Sequence, residues 1–176
     1  INSKNGKNLI GSFYNPREIL INSELIRTLS SKEIRQGLSE IIKYGVIKNE
    51  EIFNILEKSN KFFMKNEKNN IDKIIKKCIK IKIDTVEKDF KENDLRSILN
   101  FGHTIGHAIE KNYLYKFSHG DCIGTGMAIE SLIAHSFYKL SAKDLMRILK
   151  LLDKFKLRKV SFEKGDIDNL LDSMEL

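Results

Sequence analysis

Tryptophan is absent from this 176-residue chain, and proline occurs once, at Pro16. Beyond that position no residue lacks a backbone N–H, so proline interrupts no later helix. The two cysteines, Cys78 and Cys122, stand far apart without C-x-x-C spacing. That excludes a disulfide framework and a zinc ribbon, and it predicts buried free thiols in a reducing, cytoplasmic compartment. No apolar run approaches the ~20 residues that span a bilayer, and no charged-then-apolar leader opens the chain, so a soluble protein with no membrane partner is expected. Tandem repeats are lacking as well. The one biased stretch, Lys65 to Lys77, carries no aromatic or glycine among its lysines and asparagines. It reads as a solvated helix face and loop, with no nucleic acid bound.

What is present is enough for one folded domain. Hydrophobic residues make up 41% of the chain and charged residues 31%, with a net charge of +7. The aliphatic content removes the signature of disorder. The positive charge suits a nucleic acid, an anionic surface or a phosphorylated substrate, and selects none of them. After Pro16 the short aliphatic stretch Arg17-Glu-Ile-Leu-Ile21 reads as a buried strand, the one good strand in the chain. From Ser30 onward the signals are helical. Ser30-Ser-Lys-Glu33 is a capping box, and Asn49, Asn69 or Asn70, and Ser141 are N-caps for later helices. Six or seven helices are expected, giving a mainly α fold with a short strand near the N-terminus. The chain starts at Ile1, and Asp166 to Leu176 still reads as helix, so both ends are expected to continue in a longer polypeptide.

With successive residues placed roughly 100° apart, Asn70 to Asp89 forms an amphipathic helix. Ile71, Ile74, Ile75, Cys78, Thr85 and Val86 fall on one side; Lys73, Lys76, Lys77, Lys80, Asp84 and Glu87 fall on the other. Lys82 lands inside the apolar stripe. Either its stem covers core while the ammonium reaches water, or it faces inward toward an anion.

The most informative passage is Arg96-Ser-Ile-Leu-Asn100-Phe-Gly-His103-Thr-Ile-Gly-His107-Ala-Ile-Glu110. On helical spacing Arg96, Asn100, His103, His107 and Glu110 point within roughly 60° of one direction. Such a stripe makes a poor solvent face and a worse core, whereas a metal and an anionic substrate would satisfy it. Three of the four histidines fall between positions 103 and 119, among glycines that permit close backbone approach. No glutamate follows the first histidine of the His-x-x-x-His pair, which argues against a zinc peptidase. An earlier cluster, Gly37-Leu-Ser-Glu40-Ile-Ile-Lys43-Tyr-Gly45, puts Glu40 and Lys43 at i and i+3. Taken alone this is a surface ion pair contributing about 0.2–0.5 kcal/mol. Yet Ile47 continues that face while Ile34, Leu38 and Ile41 line another, so both sides of the helix are expected to be partly buried.

Those blocks, with Gly6-Lys7-Asn8-Leu-Ile-Gly-Ser-Phe-Tyr-Asn-Pro16 before them and His119-Gly-Asp-Cys-Ile-Gly-Thr-Gly-Met127 after, resemble 3-dehydroquinate synthases in order and separation. The resemblance implies the multi-helical C-terminal domain of such an enzyme. The reaction would be a lyase step of the shikimate pathway for aromatic amino acids, converting 3-deoxy-D-arabino-heptulosonate 7-phosphate to 3-dehydroquinate and phosphate. NAD and zinc or cobalt would assist. Implied metal ligands are Glu40, His103 and His119. Lys43, Lys82, Arg96, Asn100, His107 and Asn8 would hold phosphate, carboxylate and hydroxyls, and Glu92 and His107 match proton acceptors. Lys7, Thr28 and Gln36 match positions near NAD. Residues 1–29 would be the tail of an NAD-binding α/β domain, and 30–176 the helical metal- and substrate-binding domain. Without the NAD-binding domain of the same enzyme the chain is expected to be inactive; with it, a homodimer is expected. The family usually has glutamate where this chain has Asp121, which implies a shortened or lost contact around the last histidine.

Helical spacing alone favours His103 with His107 as the metal pair, whereas the resemblance favours His103 with His119. Other sugar phosphate cyclases, of the 2-deoxy-scyllo-inosose or valiolone type, are the nearest alternative. A basic helical module that binds nucleic acid or a partner protein explains the lysines but leaves the histidine stripe without a purpose.

Overall fold

Ser30 starts the first α-helix as its sequence predicts. Its hydroxyl accepts from the Glu33 N–H at 3.3 Å, and the Glu33 carboxylate accepts from the Ser30 N–H at 2.7 Å. The computed structural model describes residues 10, 11, 14, 17–59, 68–90, 94–163 and 165–174. In chain order these form a 3-10 helix Ser23–Thr28, α1 Ser31–Ile47, α2 Glu50–Lys58, α3 Lys68–Lys88, a second 3-10 helix Leu95–Asn100, α4 His103–Asn112, α5 His119–Phe137, α6 Ala142–Lys154 and α7 Asp166–Met174. Asn49 and Ser141 cap α2 and α6 as expected. Asn69 and Asn70 do not cap α3, because that helix has already begun at Lys68.

The expected strand is not formed. Among the described residues there is no strand, and Ile19, Leu20 and Ile21 are 61%, 87% and 53% exposed. A strand needs a neighbour for its N–H and C=O groups, and these residues have no ladder partner among the described ones. Asn22 then caps the first 3-10 helix through the Glu24 N–H at 3.0 Å.

Helix α5 is the centre of the structure. Every residue from Gly120 to Ala128 is buried, as befits a helix covered on all sides. On one side Ile123 and Met127 join Ile34, Leu38 and Ile42 of α1, Ile52, Phe53 and Leu56 of α2, and Ile148, Leu151 and Leu152 of α6. On the other, Cys122 joins Ile105, Ala108 and Ile109 of α4 and Leu170 of α7. Fully buried aliphatic side chains of this kind contribute roughly 1.5–3 kcal/mol each. On α3 the apolar stripe packs inward with Ile71, Ile74 and Thr85 buried, while Lys73 and Lys77 reach Glu51 of α2 at 2.8 and 2.7 Å. That solvated lysine face therefore ties α3 to α2. No helix among the described residues is long and apolar enough to cross a membrane.

Glycines set how closely the helices approach. A Cβ on Gly126 would lie 2.2 Å from the Gly102 carbonyl oxygen and 2.9 Å from the Gly106 nitrogen, so α4 and α5 touch backbone to backbone. A Cβ on Gly120 would lie 2.6 Å from the Gln36 Cα, so the start of α5 rests directly on α1. These two approaches bring the beginnings of α4 and α5 to the middle of α1.

Candidate metal centre

Three helices deliver one side chain each to a common point. Glu40 comes from the middle of α1, His103 from the first turn of α4 and His119 from the first turn of α5. His103 Nε2 lies 3.1 Å from Glu40 Oε1, and His119 Nε2 lies 3.5 Å from the same oxygen. The donor atoms of all three fall within 4.8 Å of one another. Each imidazole is steadied through its second nitrogen. His103 Nδ1 stands 3.2 Å from the Phe101 carbonyl oxygen, and His119 Nδ1 stands 3.0 Å from Glu110 Oε1. A ring that donates from Nδ1 to a carbonyl or carboxylate offers its Nε2 lone pair, the form that a metal ion takes.

The charges fit the same purpose. Glu40 Oε2 is 2.6 Å from the Lys43 ammonium, whose side chain is only 5% exposed, so the pair read as a surface contact is largely buried. Burial would raise the Glu40 carboxyl, but hydrogen bonds from His103 and His119 and the Lys43 charge outweigh it and hold it well below the usual carboxylate range. Hydrogen bonds to Glu110 and then Glu40 push His119 up to about 9 against the opposing effect of burial. A proton and a divalent cation respond to the same negative potential. Two imidazole nitrogens and one carboxylate oxygen match a zinc- or cobalt-type site that leaves one coordination position open.

The continuous Arg96-to-Glu110 stripe is not formed. Gly102 adopts φ +78°, a left-handed conformation that favours glycine, and divides the 3-10 helix Leu95–Asn100 from α4. Only His103, His107 and Glu110 therefore share one helix. Gly102 has no side chain with which to cap α4, and Glu130 of α5 accepts its N–H at 2.7 Å instead.

His107 is exposed, with its ring centre 5.3 Å from that of His103 and 6.1 Å from that of His119. A second grouping, His107 with Glu110 and His119, also lies within donor range. Glu110 is buried and already engaged with His119 Nδ1, so an ion there would have to displace that hydrogen bond. An ion at the Glu40 grouping would replace the contacts of Glu40 with the two Nε2 atoms and leave the Glu110 bond to His119 Nδ1 in place.

The remaining expected residues are dispersed around this point. Arg96 is half-buried; its N–H donates to Asp89 Oδ2 at 3.0 Å and its guanidinium to the Phe90 carbonyl at 3.0 Å. Asn100 ends the second 3-10 helix with its side chain exposed. Lys82 is exposed on α3 and so is not tucked beneath the apolar stripe. That exposure fits the reading in which its ammonium reaches water and not the inward-facing one. Thr28 bonds its own helix at Leu25 and Gln36 is half-buried beside Gly120. Lys7, Asn8 and Glu92 lie outside the described residues.

Residues 37–176 match the family model for the 3-dehydroquinate synthase C-terminal portion, and residues 1–36 match the model for its N-terminal portion. The chain belongs to the 3-dehydroquinate synthase family. It is 43% identical over 154 residues to the 3-dehydroquinate synthase of Dictyoglomus thermophilum, covering 87% of this chain and 42% of that protein. With the Clostridium beijerinckii 3-dehydroquinate synthase it shares 46% over 140 residues, 77% of this chain and 39% of that one. The chain thus spans less than half the length of these relatives. Among solved structures, 2-epi-5-epi-valiolone synthase from Streptomyces hygroscopicus subsp. jinggangensis 5008, with NAD+ and Zn2+ bound, superposes with a TM-score of 0.88 at 23% identity, over 99% of this chain and 49% of that one. A 2-deoxy-scyllo-inosose synthase complexed with carbaglucose-6-phosphate, NAD+ and Co2+ gives 0.81 at 26%, over 99% and 49%.

The 3-dehydroquinate synthase motifs gave no role to Glu110, Ser118, Arg35 or Glu130. Glu110 had a visible signal, since it shares the His103 face of α4. Ser118 was legible as the cap before His119; its hydroxyl accepts from the Asp121 N–H at 3.4 Å and donates to Asp121 Oδ2 at 2.6 Å. Asp121 itself contacts Arg35 at 3.2 Å and not His119. No local pattern marks Arg35 or Glu130, because their partners lie 86 and 28 residues away.

Proposed function

We propose that this chain is the metal- and substrate-binding part of a 3-dehydroquinate synthase, which converts 3-deoxy-D-arabino-heptulosonate 7-phosphate to 3-dehydroquinate and phosphate. The observation that carries this reading is the convergence of Glu40, His103 and His119 within 4.8 Å, with Glu110 and Phe101 orienting the two rings. Greater identity to curated 3-dehydroquinate synthases than to the solved valiolone- and inosose-type cyclases favours this substrate over theirs.

A zinc or cobalt ion held by these three residues would polarise a substrate hydroxyl and make it more acidic. Lys43 neutralises and fixes the second oxygen of Glu40. His107, exposed one helical turn from His103, is placed to accept and return a proton. Arg96, Lys82 and Asn100 would bind the phosphate, carboxylate and hydroxyls, with Asn8 and Glu92 joining them. NAD would be held by the complementary domain of the same polypeptide, with Lys7, Thr28 and Gln36 at its border. On this reading residues 1–29 belong to that domain and 30–176 to the helical one, and the enzyme is a cytoplasmic homodimer.

Full-length enzyme containing this segment, assayed with the seven-carbon deoxy-acid phosphate, glucose 6-phosphate and sedoheptulose 7-phosphate, tests the proposal. Phosphate release and dehydroquinate from the first alone are expected. Turnover of either of the others in its place would assign a different cyclase, and the 176-residue chain by itself is expected to yield no dehydroquinate.

A further inference from the structure

The three ligands come from two bodies. His103 and His119 sit on α4 and α5, which are locked together through Gly102, Gly106 and Gly126. Glu40 sits on α1. Its distance from the two imidazoles therefore depends on how α1 lies on the start of α5. Beyond the apolar packing of Ile34, Leu38 and Ile42 with Ile123 and Met127, two contacts lie at that joint beside the ligands: the backbone approach of Gly120 to Gln36, and an ion pair between Arg35 Nη2 and Asp121 Oδ2 at 3.2 Å. Arg35 precedes Glu40 by little more than one turn, and Asp121 follows His119 by two residues, so the pair lies beside the ligands that it spaces. Its side chains are only 24% and 8% exposed, and Ser118 steadies Asp121 at 2.6 Å.

The pair is joined by a single bond. Arg35 Nε and Asp121 Oδ1 are buried with no hydrogen-bond partner among the described residues. Such groups are costly when buried, and an apolar contact between helices would serve stability without them. We propose that Arg35 and Asp121 are a positioning pair that sets the separation of Glu40 from His119, and through it the affinity and coordination geometry of the metal site. The proposal rests on the reading of Glu40, His103 and His119 as the ligands. Neither residue belongs to the candidate ligand group.

Cobalt(II) titration of the purified chain, followed by the visible ligand-field bands with circular dichroism as a check on folding, tests it. The wild-type chain should take up one cobalt; if it takes up none, the ligand assignment fails and this proposal with it. Asp121→Asn keeps the shape but removes the charge, and should bind cobalt about tenfold more weakly with altered bands, a loss typical of groups that orient ligands from outside the coordination shell. Asp121→Glu keeps the charge, can reach both guanidinium nitrogens, and should retain wild-type bands. Wild-type affinity and bands in folded Asp121→Asn would make the pair a stabilising contact only and overturn the proposal. Should Asp121→Asn not fold, Arg35→Met with Asp121→Leu leaves no buried charge unpaired. That variant should fold and bind about tenfold more weakly; wild-type binding in it would equally overturn the proposal.

Discussion

Glu110, buried on α4, accepts a hydrogen bond from Nδ1 of His119 at 3.0 Å and so turns the other ring nitrogen toward Glu40. Glu110→Gln preserves the shape of the side chain but removes the charge that holds the ring. Metal affinity should fall about 10–100-fold while the helical circular dichroism spectrum persists. An unchanged dissociation constant would mean that the ring is held by other contacts.

The same pair predicts a pH dependence. In the metal-free chain His119 is raised from 6.5 to about 9, first by Glu110 and then by Glu40. Its folded pKa exceeds its unfolded one, so the stability contributed by these bonds is fully present below about pH 6.5 and is lost as pH rises through about 9. Chemical denaturation across that window should show the decline, and Glu110→Gln should flatten it. Metal binding must displace the same proton, so affinity should keep rising with pH up to about 9 instead of levelling near the ordinary histidine value.

Two glycines, one on α5 and one on α1, should respond in opposite directions. Gly126→Ala forces a methyl against the Gly102 carbonyl, a backbone neighbour that cannot turn aside, and should cost roughly 1–3 kcal/mol or more. Gly37 is exposed within α1, and a methyl added there would meet nothing within 4 Å. Gly37→Ala should stabilise by roughly 0.5–1 kcal/mol through helix propensity. Urea midpoints of the two variants check both signs.

The cysteines should be unreactive in the folded chain. Burial, with a smaller effect of the Glu40 charge, pushes the Cys78 thiol up to about 12, and Cys122 is fully buried between α4 and α5. Thiol-labelling reagents at pH 8 should modify both only after denaturation. Fast labelling of the native chain would place at least one thiol at the surface.

Local chemistry was legible in the sequence, and its assembly was less so. The Ser30 capping box, the Asn49 and Ser141 caps and the α3 stripe follow from nearest neighbours and helical period, and all are formed. The same period carried the Arg96-to-Glu110 stripe too far. Gly102 is compatible with a helix by pattern, and its left-handed φ occurs where Ile123, Gly126 and Met127 of α5 approach it closely, which local pattern does not reveal. The aliphatic run 17–21 has strand composition, but composition cannot supply the neighbour that a strand requires. The pairing of His103 with Glu40 spans 63 residues, and no spacing rule predicts a contact of that range. It became readable only through blocks resembling a known family.

On the geometry described, His119 and not His107 brings a donor atom within 4.8 Å of those of both Glu40 and His103. Zinc titration of the chain bearing His119→Ala or His107→Ala, read by calorimetry, decides between the two imidazoles. His119→Ala should abolish tight binding while His107→Ala retains it. Retention by His119→Ala with loss in His107→Ala would contradict this assignment and restore the i, i+4 pair on α4 as the ligands.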